Sequence, residues 1–390
     1  MSEFSLNLST KIFFGKGKVK ELGEAIKPFG KKVMVVTGGG SIKKYGIFNE
    51  VANELNRSGF EWFEYSGVVP NPRLSHCISG AKIAIEEKVD FLLAVGGGSV
   101  LDATKAISFL GFTKGNVWED YFVNNKDIEK ALPIGVVLTL SATGSEMNGN
   151  AVITNEEKKQ KIAARSENLK PKFAILDPTY TFSVPKEHTA NGIADIFSHL
   201  FEQYFSPEEI DWWVPDRMAE GVMKTLIKWG PVACEEGNNY FARANIMWAS
   251  TVGLNGLLGV GKSGDWATHK IEHELSAYYD IPHGAGLAVL HPTWMEYVLD
   301  ENTKERFANY GRNVWGIEGK SEMEVAKKAI EKTRFFFKSL GLPSKLRELK
   351  IDDKYFSNMA EEVISIYKGE VGRLKKLTKE DIENILKLAE

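Results

Sequence analysis

The sequence predicts an open α/β sheet in its first half and an all-helical second half. Three features carry that prediction. Short apolar runs ending in glycine alternate with helical spacing through the first half. The alternation stops near Asp177-Pro178 and Val184-Pro185. Beyond that point the apolar spacing is helical almost throughout. The boundary therefore falls near residue 185, giving expected domains of residues 1–185 and 186–390.

The elements follow in order. Lys32-Val33-Met34-Val35-Val36-Thr37 is an apolar, β-branched run that ends at Gly38-Gly39-Gly40, as a buried parallel strand would. Residues 48–57 have helical spacing, with Val51 and Leu55 four apart. Residues 60–65 read as a strand. Residues 74–87 read as a helix, with Ile78, Ala81 and Ile85 on one stripe. Phe91-Leu92-Leu93-Ala94-Val95 is the clearest buried strand, and it runs through Gly96-Gly97-Gly98-Ser99 into a helical pattern at 100–110. Residues 133–140 form another apolar strand, followed by Ser141-Ala142-Thr143-Gly144-Ser145-Glu146. In the second half, residues 189–204 and 265–278 are helical. Ser321 with Glu324 opens a helix that stops at Gly341-Leu342-Pro343, and Thr378 with Asp381 opens the last one.

Composition excludes several classes. The 390 residues carry 49 Lys+Arg against 52 Asp+Glu, a formal charge of −3, so no polycationic field serves nucleic acid or an anionic membrane. An apolar share of 43% is ample for a core. Two cysteines, Cys77 and Cys234, make neither a disulfide scaffold nor a Cys-rich zinc site. With no signal-like or membrane-length apolar run, the expected compartment is the cytoplasm.

A strand that ends in glycines and opens a helix presents bare backbone N–H groups to an anion. Gly96-Gly97-Gly98-Ser99 has that context, with Asp102 and Lys105 one turn on. A plain tight turn would look the same. A second glycine-rich strand end, Gly38-Gly39-Gly40-Ser41, and a hydroxyl cluster at Thr139, Ser141, Thr143 and Ser145 favour a ligand, because the C-terminal ends of parallel strands share one edge. No G-x-G-x-x-G fingerprint is present. Residues 37–45 hold no acid for ribose hydroxyls but offer Ser41, Lys43 and Lys44, which favours NADP over NAD. Solvated surface lysines are the plainer reading of that pair.

Asp195 and His199 are four apart on one helix face, as are His269 and His273, and His283 follows in a Pro-Gly turn. A carboxylate with three imidazoles suits Zn or Fe(II). Each pair alone also fits a helix surface or cap. No H-E-x-x-H occurs. Glu272 and Glu274 are expected to point off the His269/His273 face. His76, His188 and His291 are read as structural.

Together these motifs resemble the iron-containing (group III) alcohol dehydrogenases, in their butanol dehydrogenase and NADPH-dependent aldehyde reductase branch. The segment Thr10-Lys11-Ile12-Phe13-Phe14-Gly15-Lys16-Gly17 looks like the family's first strand. The run Gly96-Gly97-Gly98-Ser99-Val100-Leu101-Asp102 matches its G-G-G-S-x-x-D, and Thr143-Gly144-Ser145-Glu146 its T-G-S-E turn. Asp265-Trp266-Ala267-Thr268-His269-Lys270-Ile271-Glu272-His273-Glu274-Leu275, continuing to His283-Gly284, is similar to the branch's signature.

The resemblance implies a dehydroquinate synthase-like fold, with an N-terminal Rossmann-like dinucleotide-binding domain and a C-terminal all-helical metal-binding domain. It implies Asp195, His199, His269 and His283 as metal ligands, and His273 as a catalytic histidine that does not ligate. It implies Gly39, Ser41, Asn71, Gly97, Gly98, Ser99, Asp102, Thr139, Thr143, Ser145 and Lys161 as cofactor-binding positions. Thr37 departs from the aromatic residue of some NADP-using members. The implied enzyme is a metal-dependent alcohol dehydrogenase or aldehyde reductase acting on a small primary alcohol or aldehyde such as butanol or butanal. It would be a homodimer using NADP(H) in preference to NAD(H) and one divalent metal, Fe(II) or Zn. Dehydroquinate-synthase-like or glycerol-phosphate-dehydrogenase-like activity is the rival within the superfamily. Only Lys270 is basic between His269 and His283, which suits a less charged substrate. A non-enzymatic metal- or nucleotide-binding protein is the rival outside it.

Overall fold

The computed structural model describes residues 3–207 and 213–390. The chain divides into two compact units. One comprises Asn7–Val184 with Gly237–Met247, and the other Met1–Leu6, Pro185–Glu236 and Trp248–Glu390. A single cut at 185 is thus crossed twice, by the first few residues and by a short segment after residue 236.

The first unit holds eight strands: β1 (Lys11–Phe14), β2 (Lys32–Thr37), β3 (Glu61–Tyr65), β4 (Phe91–Gly96), β5 (Ile134–Leu138), β6 (Asn150–Asn155), β7 (Gln160–Arg165) and β8 (Phe173–Leu176). Six form one sheet in the order β1-β8-β5-β4-β2-β3, with every pairing parallel. Its crossover helices are α1 (Leu22–Ile26), α2 (Ser41–Lys44), α3 (Ile47–Arg57), α4 (Leu74–Glu86) and α5 (Gly98–Leu110). Both faces of the sheet are covered, so β4 is buried at all six positions and needs no polar alternation. Val33, Val35, Phe91, Leu93, Val95, Val137 and Ile175 belong to one core cluster with Ile47, Val51 and Leu55 of α3. Fully burying each such side chain contributes about 1.5–3 kcal/mol. β6 and β7 form a separate antiparallel hairpin, and α5 packs against β6.

The second unit is helical: α6 (Lys186–Tyr204), α7 (Trp213–Glu235), α8 (Tyr240–Gly253, which begins in the first unit), α9 (Ala267–Tyr279), α10 (His283–Val298), α11 (Lys304–Trp315), α12 (Glu322–Ser339), α13 (Phe356–Ile366) and α14 (Lys379–Ala389). α10 is its centre, packed against α6, α9, α12 and α14, and it is buried on every side from Gly284 to Met295. Thr378 and Asp381 make the full reciprocal capping box expected at α14. At α12 only half of it forms: Ser321 accepts from the Glu324 N–H, while Glu324 reaches the N–H of Lys320 instead. Among the described residues no helix is long and apolar enough to cross a membrane.

Candidate active site

The metal-type cluster lies wholly within the helical unit. α6 carries Asp195 and His199, α9 carries His269 and His273, and His283 is the first residue of α10, following Pro282. His283 thus sits on a rigid helix start rather than in a free turn. Three imidazole Nε2 atoms converge on Asp195 Oδ1: His199 at 3.6 Å, His283 at 3.7 Å and His269 at 3.9 Å. The His199 and His269 rings stack at 4.9 Å. Asp195 Oδ1 is buried and receives no hydrogen bond among the described residues. Ligand atoms of a tetrahedral ion lie roughly 3.4 Å apart, so this spacing is close to what a small divalent cation draws together. The donor set fits one divalent metal.

Two glutamates orient two of these imidazoles. Glu202 Oε1 accepts the backbone N–H of His269 at 3.0 Å and faces its Nδ1 at 3.1 Å. Glu272 Oε2 is hydrogen-bonded to His283 Nδ1, and its Oε1 accepts Ser276 Oγ at 2.5 Å. A carboxylate on the far nitrogen fixes the tautomer, so that Nε2 faces the metal side. Glu272 therefore points into the site from α9, against the expectation that it would lie off that face. Glu202 had a readable signal, since it is three residues after His199 and seven after Asp195 on the same helix face. The Glu272 to His283 bond joins two helices and left no such pattern.

Burial holds His199 down to about 4, with Asp195 opposing, so the ring is neutral at pH 7 and free to ligate. Burial pushes Glu202 up to about 7. It does the same to Asp265, whose carboxylate accepts the N–H groups of Ala267, Arg373 and Leu374 and so fixes the start of α9. His273 is 9% exposed, one turn after His269. Its ring lies 5.6 Å from that of His283 and perpendicular to that of His269. One of its ring nitrogens lies within 4.8 Å of ligand atoms of both Glu272 and His283, so His283 is shared between this group and the one around Asp195. His291 is buried and stacked on Phe201, and His188 is exposed in the first turn of α6.

The glycine-rich turns lie in the first unit, on the C-terminal edge of the sheet. Gly97 caps α5, and Gly98 and Ser99 form its first turn. A Cβ on Gly98 would stand 2.5 Å from Thr143, and one on Gly97 would stand 3.0 Å from Leu140. The turn and the 139–145 segment are thus packed directly on each other, and the Thr139 N–H bonds the Gly96 carbonyl at 3.0 Å. Ser145 Oγ donates to Asp102 Oδ1 at 2.6 Å, and the Val152 N–H donates to Oδ2 at 3.1 Å. Both Asp102 oxygens therefore brace the protein. Lys161 pairs with Thr154 across the β6–β7 hairpin, and the Thr154 N–H bonds the Pro72 carbonyl at 2.8 Å beside Asn71, which adopts φ 51°. Gly39 and Ser41 stand one strand over, after β2. A Cβ on Gly39 would meet nothing within 4 Å, so that position is open to a ligand. Lys43 is committed to Glu64 Oε2 at 2.7 Å, and Thr37 donates to Glu64 Oε1 at 2.7 Å. An acid from the neighbouring strand thus stands where the local sequence showed none.

Profiles of known families match both halves of the chain. The iron-containing alcohol dehydrogenase profile covers residues 9–178, and the C-terminal profile of the same family covers 189–389. The chain belongs to the iron-containing alcohol dehydrogenase family. It is 47% identical to NADH-dependent butanol dehydrogenase A of Clostridium acetobutylicum, across 99% of each chain. It is 42% identical to the NADPH-dependent aldehyde reductase YqhD of Escherichia coli, across 90% of each. The solved structure of NADH-dependent butanol dehydrogenase A from Thermotoga maritima superposes with a TM-score of 0.95 at 42% identity, over 100% of this chain and 99% of that one. This iron-containing alcohol dehydrogenase is an alcohol/aldehyde oxidoreductase, working with a nicotinamide cofactor and a divalent metal.

Proposed function

We propose that the enzyme interconverts a small primary alcohol and its aldehyde, of the butanol/butanal kind, with Asp195, His199, His269 and His283 holding one Fe(II) or Zn. The observation that carries this is the convergence of three Nε2 atoms on the unsatisfied Asp195 Oδ1. When bound, a divalent metal serves as a Lewis acid toward the substrate oxygen, and a nicotinamide exchanges the hydride. The chain's own residues supply the rest. With a dication bound, the single ligating carboxylate would offset only part of its charge and imidazoles ligating through Nε2 would add none, which suits an oxygen gaining negative charge. His273, whose ring lies 5.6 Å from that of His283, would relay the proton of the hydroxyl group through water or the ribose hydroxyls rather than by direct donation. Gly39, Asn71, Gly97, Gly98, Ser99, Thr139, Thr143 and Lys161 are read as the surface the cofactor meets, with Asp102 and Ser145 beneath it.

The preference for NADP(H) rests on Ser41 and Lys44, because Lys43 is spent on Glu64. NADH is the second reading, favoured by the carboxylate of Glu64 at the end of β2. Butanal-dependent oxidation of NADH and NADPH, compared as kcat/KM at equal substrate, decides between them. Absence of turnover with both would remove the enzymatic reading. A cytoplasmic location belongs to the same reading, in keeping with buried Cys77 and Cys234, which are not joined in a disulfide. A homodimer is part of the same reading and is checked by light scattering.

A further inference from the structure

Lys105 lies on α5, fully buried, and no step above uses it. Its ammonium has three N–H donors and three acceptors: Ser145 Oγ at 2.7 Å, the Asn150 carbonyl at 2.8 Å and Asn148 Oδ1 at 3.2 Å. Ser145 Oγ passes its own hydrogen to Asp102 Oδ1 at 2.6 Å, so the hydroxyl links the ammonium to its counter-charge. Asn148 completes the knot by donating to the Gly144 carbonyl at 3.0 Å and accepting the Asn150 N–H at 3.0 Å. The segment so held, residues 143–150, contains one short 3-10 turn and otherwise no ladder or helix bonds until β6 begins. Its shape is therefore set mainly by bonds to side chains, and Lys105 makes three of them.

We propose that Lys105 is a positioning residue for the cofactor: it fixes the Thr143–Gly144–Ser145 turn against Gly97 and Gly98, and so sets the affinity for the nicotinamide dinucleotide. Thr143 is the link. It packs so closely on Gly98 that a Cβ there would stand 2.5 Å away, and its Oγ1 accepts the Ser145 N–H at 3.2 Å. A turn that moves by a fraction of an ångström alters the surface that borders the phosphate cradle. The effect belongs to cofactor binding, because Lys105 has no exposed surface through which to touch substrate. This rests on the reading of Gly97, Gly98 and Ser99 as that cradle.

The test is a fluorescence titration of the metal-loaded full chain with NADH and NADPH, alongside steady-state kinetics, well below the melting temperature. Lys105→Met deletes the three donors. Lys105→Gln, which keeps a neutral donor in the same space but not the three ammonium donors, keeps the test open if Lys105→Met does not fold. Asn148→Ala is a milder perturbation of the same knot. The expected result is a cofactor Kd raised about tenfold or more in both lysine variants and less in Asn148→Ala, with kcat at saturating cofactor within about threefold of wild type. Folded variants that bind cofactor as the wild type does, or that lose kcat with Kd unchanged, overturn the proposal. A wild-type chain that binds neither nucleotide would overturn the cofactor reading itself, and this proposal with it.

Discussion

Asp195 is 3% exposed, and its Oδ1 is buried without a donor among the described residues. Burying a carboxylate oxygen in that state is costly unless a cation meets it. Asp195→Ala or His269→Ala should therefore leave the purified protein with little metal and lower turnover by roughly a hundredfold or more, read by elemental analysis and kcat. His273→Ala should keep the metal and lower kcat by about tenfold to a hundredfold. An empty site in His273→Ala would mean that His273 ligates. Glu272→Gln should weaken metal affinity by about 10–100-fold through the loosened His283 ring, measured by competition with a chelating dye. The pairs Asp195/His199 and His269/His273 were legible because i,i+4 spacing is local, whereas the choice of Asp195, His199, His269 and His283 as the ligand set came from the family resemblance. The partner of Lys43 was not legible, since Glu64 reaches it from another strand. The same holds for Lys105, whose acceptors lie forty or more residues away.

The cluster depends on how closely α6 and α10 approach. A Cβ on Gly284 would stand 2.1 Å from the Asn191 carbonyl oxygen, a backbone atom that cannot move aside without moving α6. Gly284→Ala should separate His283 from Asp195 and cut metal content, although it touches no ligand; a variant with full metal content would show that the helices can re-pack. The buried strands were readable as elements because each is an unbroken apolar run. The β6–β7 hairpin was not: its runs are polar and short, and its pairing is decided by packing on α5. α10 was half seen. Pro282 and His283 read as a turn because the helix behind them is apolar all round and shows no amphipathic stripe.

For the molecule as a whole, two buried histidines make stability depend on pH. Burial lowers the proton affinity of His199, to about 4, and of His291, both against an unfolded value near 6.5. Their folded pKa values are depressed, so the unfolded chain binds more protons as pH falls below about 6.5. Their contribution to stability is whole above that value and is lost as pH drops toward 4. Glu202 and Asp265, pushed up to about 7, act in the opposite sense over the same range, so the histidine share is read by comparison. In metal-free protein His291→Leu should raise the melting temperature at pH 5 relative to that at pH 7, against the wild type, by calorimetry. The account's central claim is that a metal held by Asp195, His199, His269 and His283 is needed for alcohol/aldehyde turnover. Its most direct measurement is butanal reduction after exhaustive chelation, with metal removal verified by elemental analysis and activity followed again on adding Fe(II) or Zn. Activity should vanish with the metal and return with it. Full activity in verified metal-free protein would contradict the account.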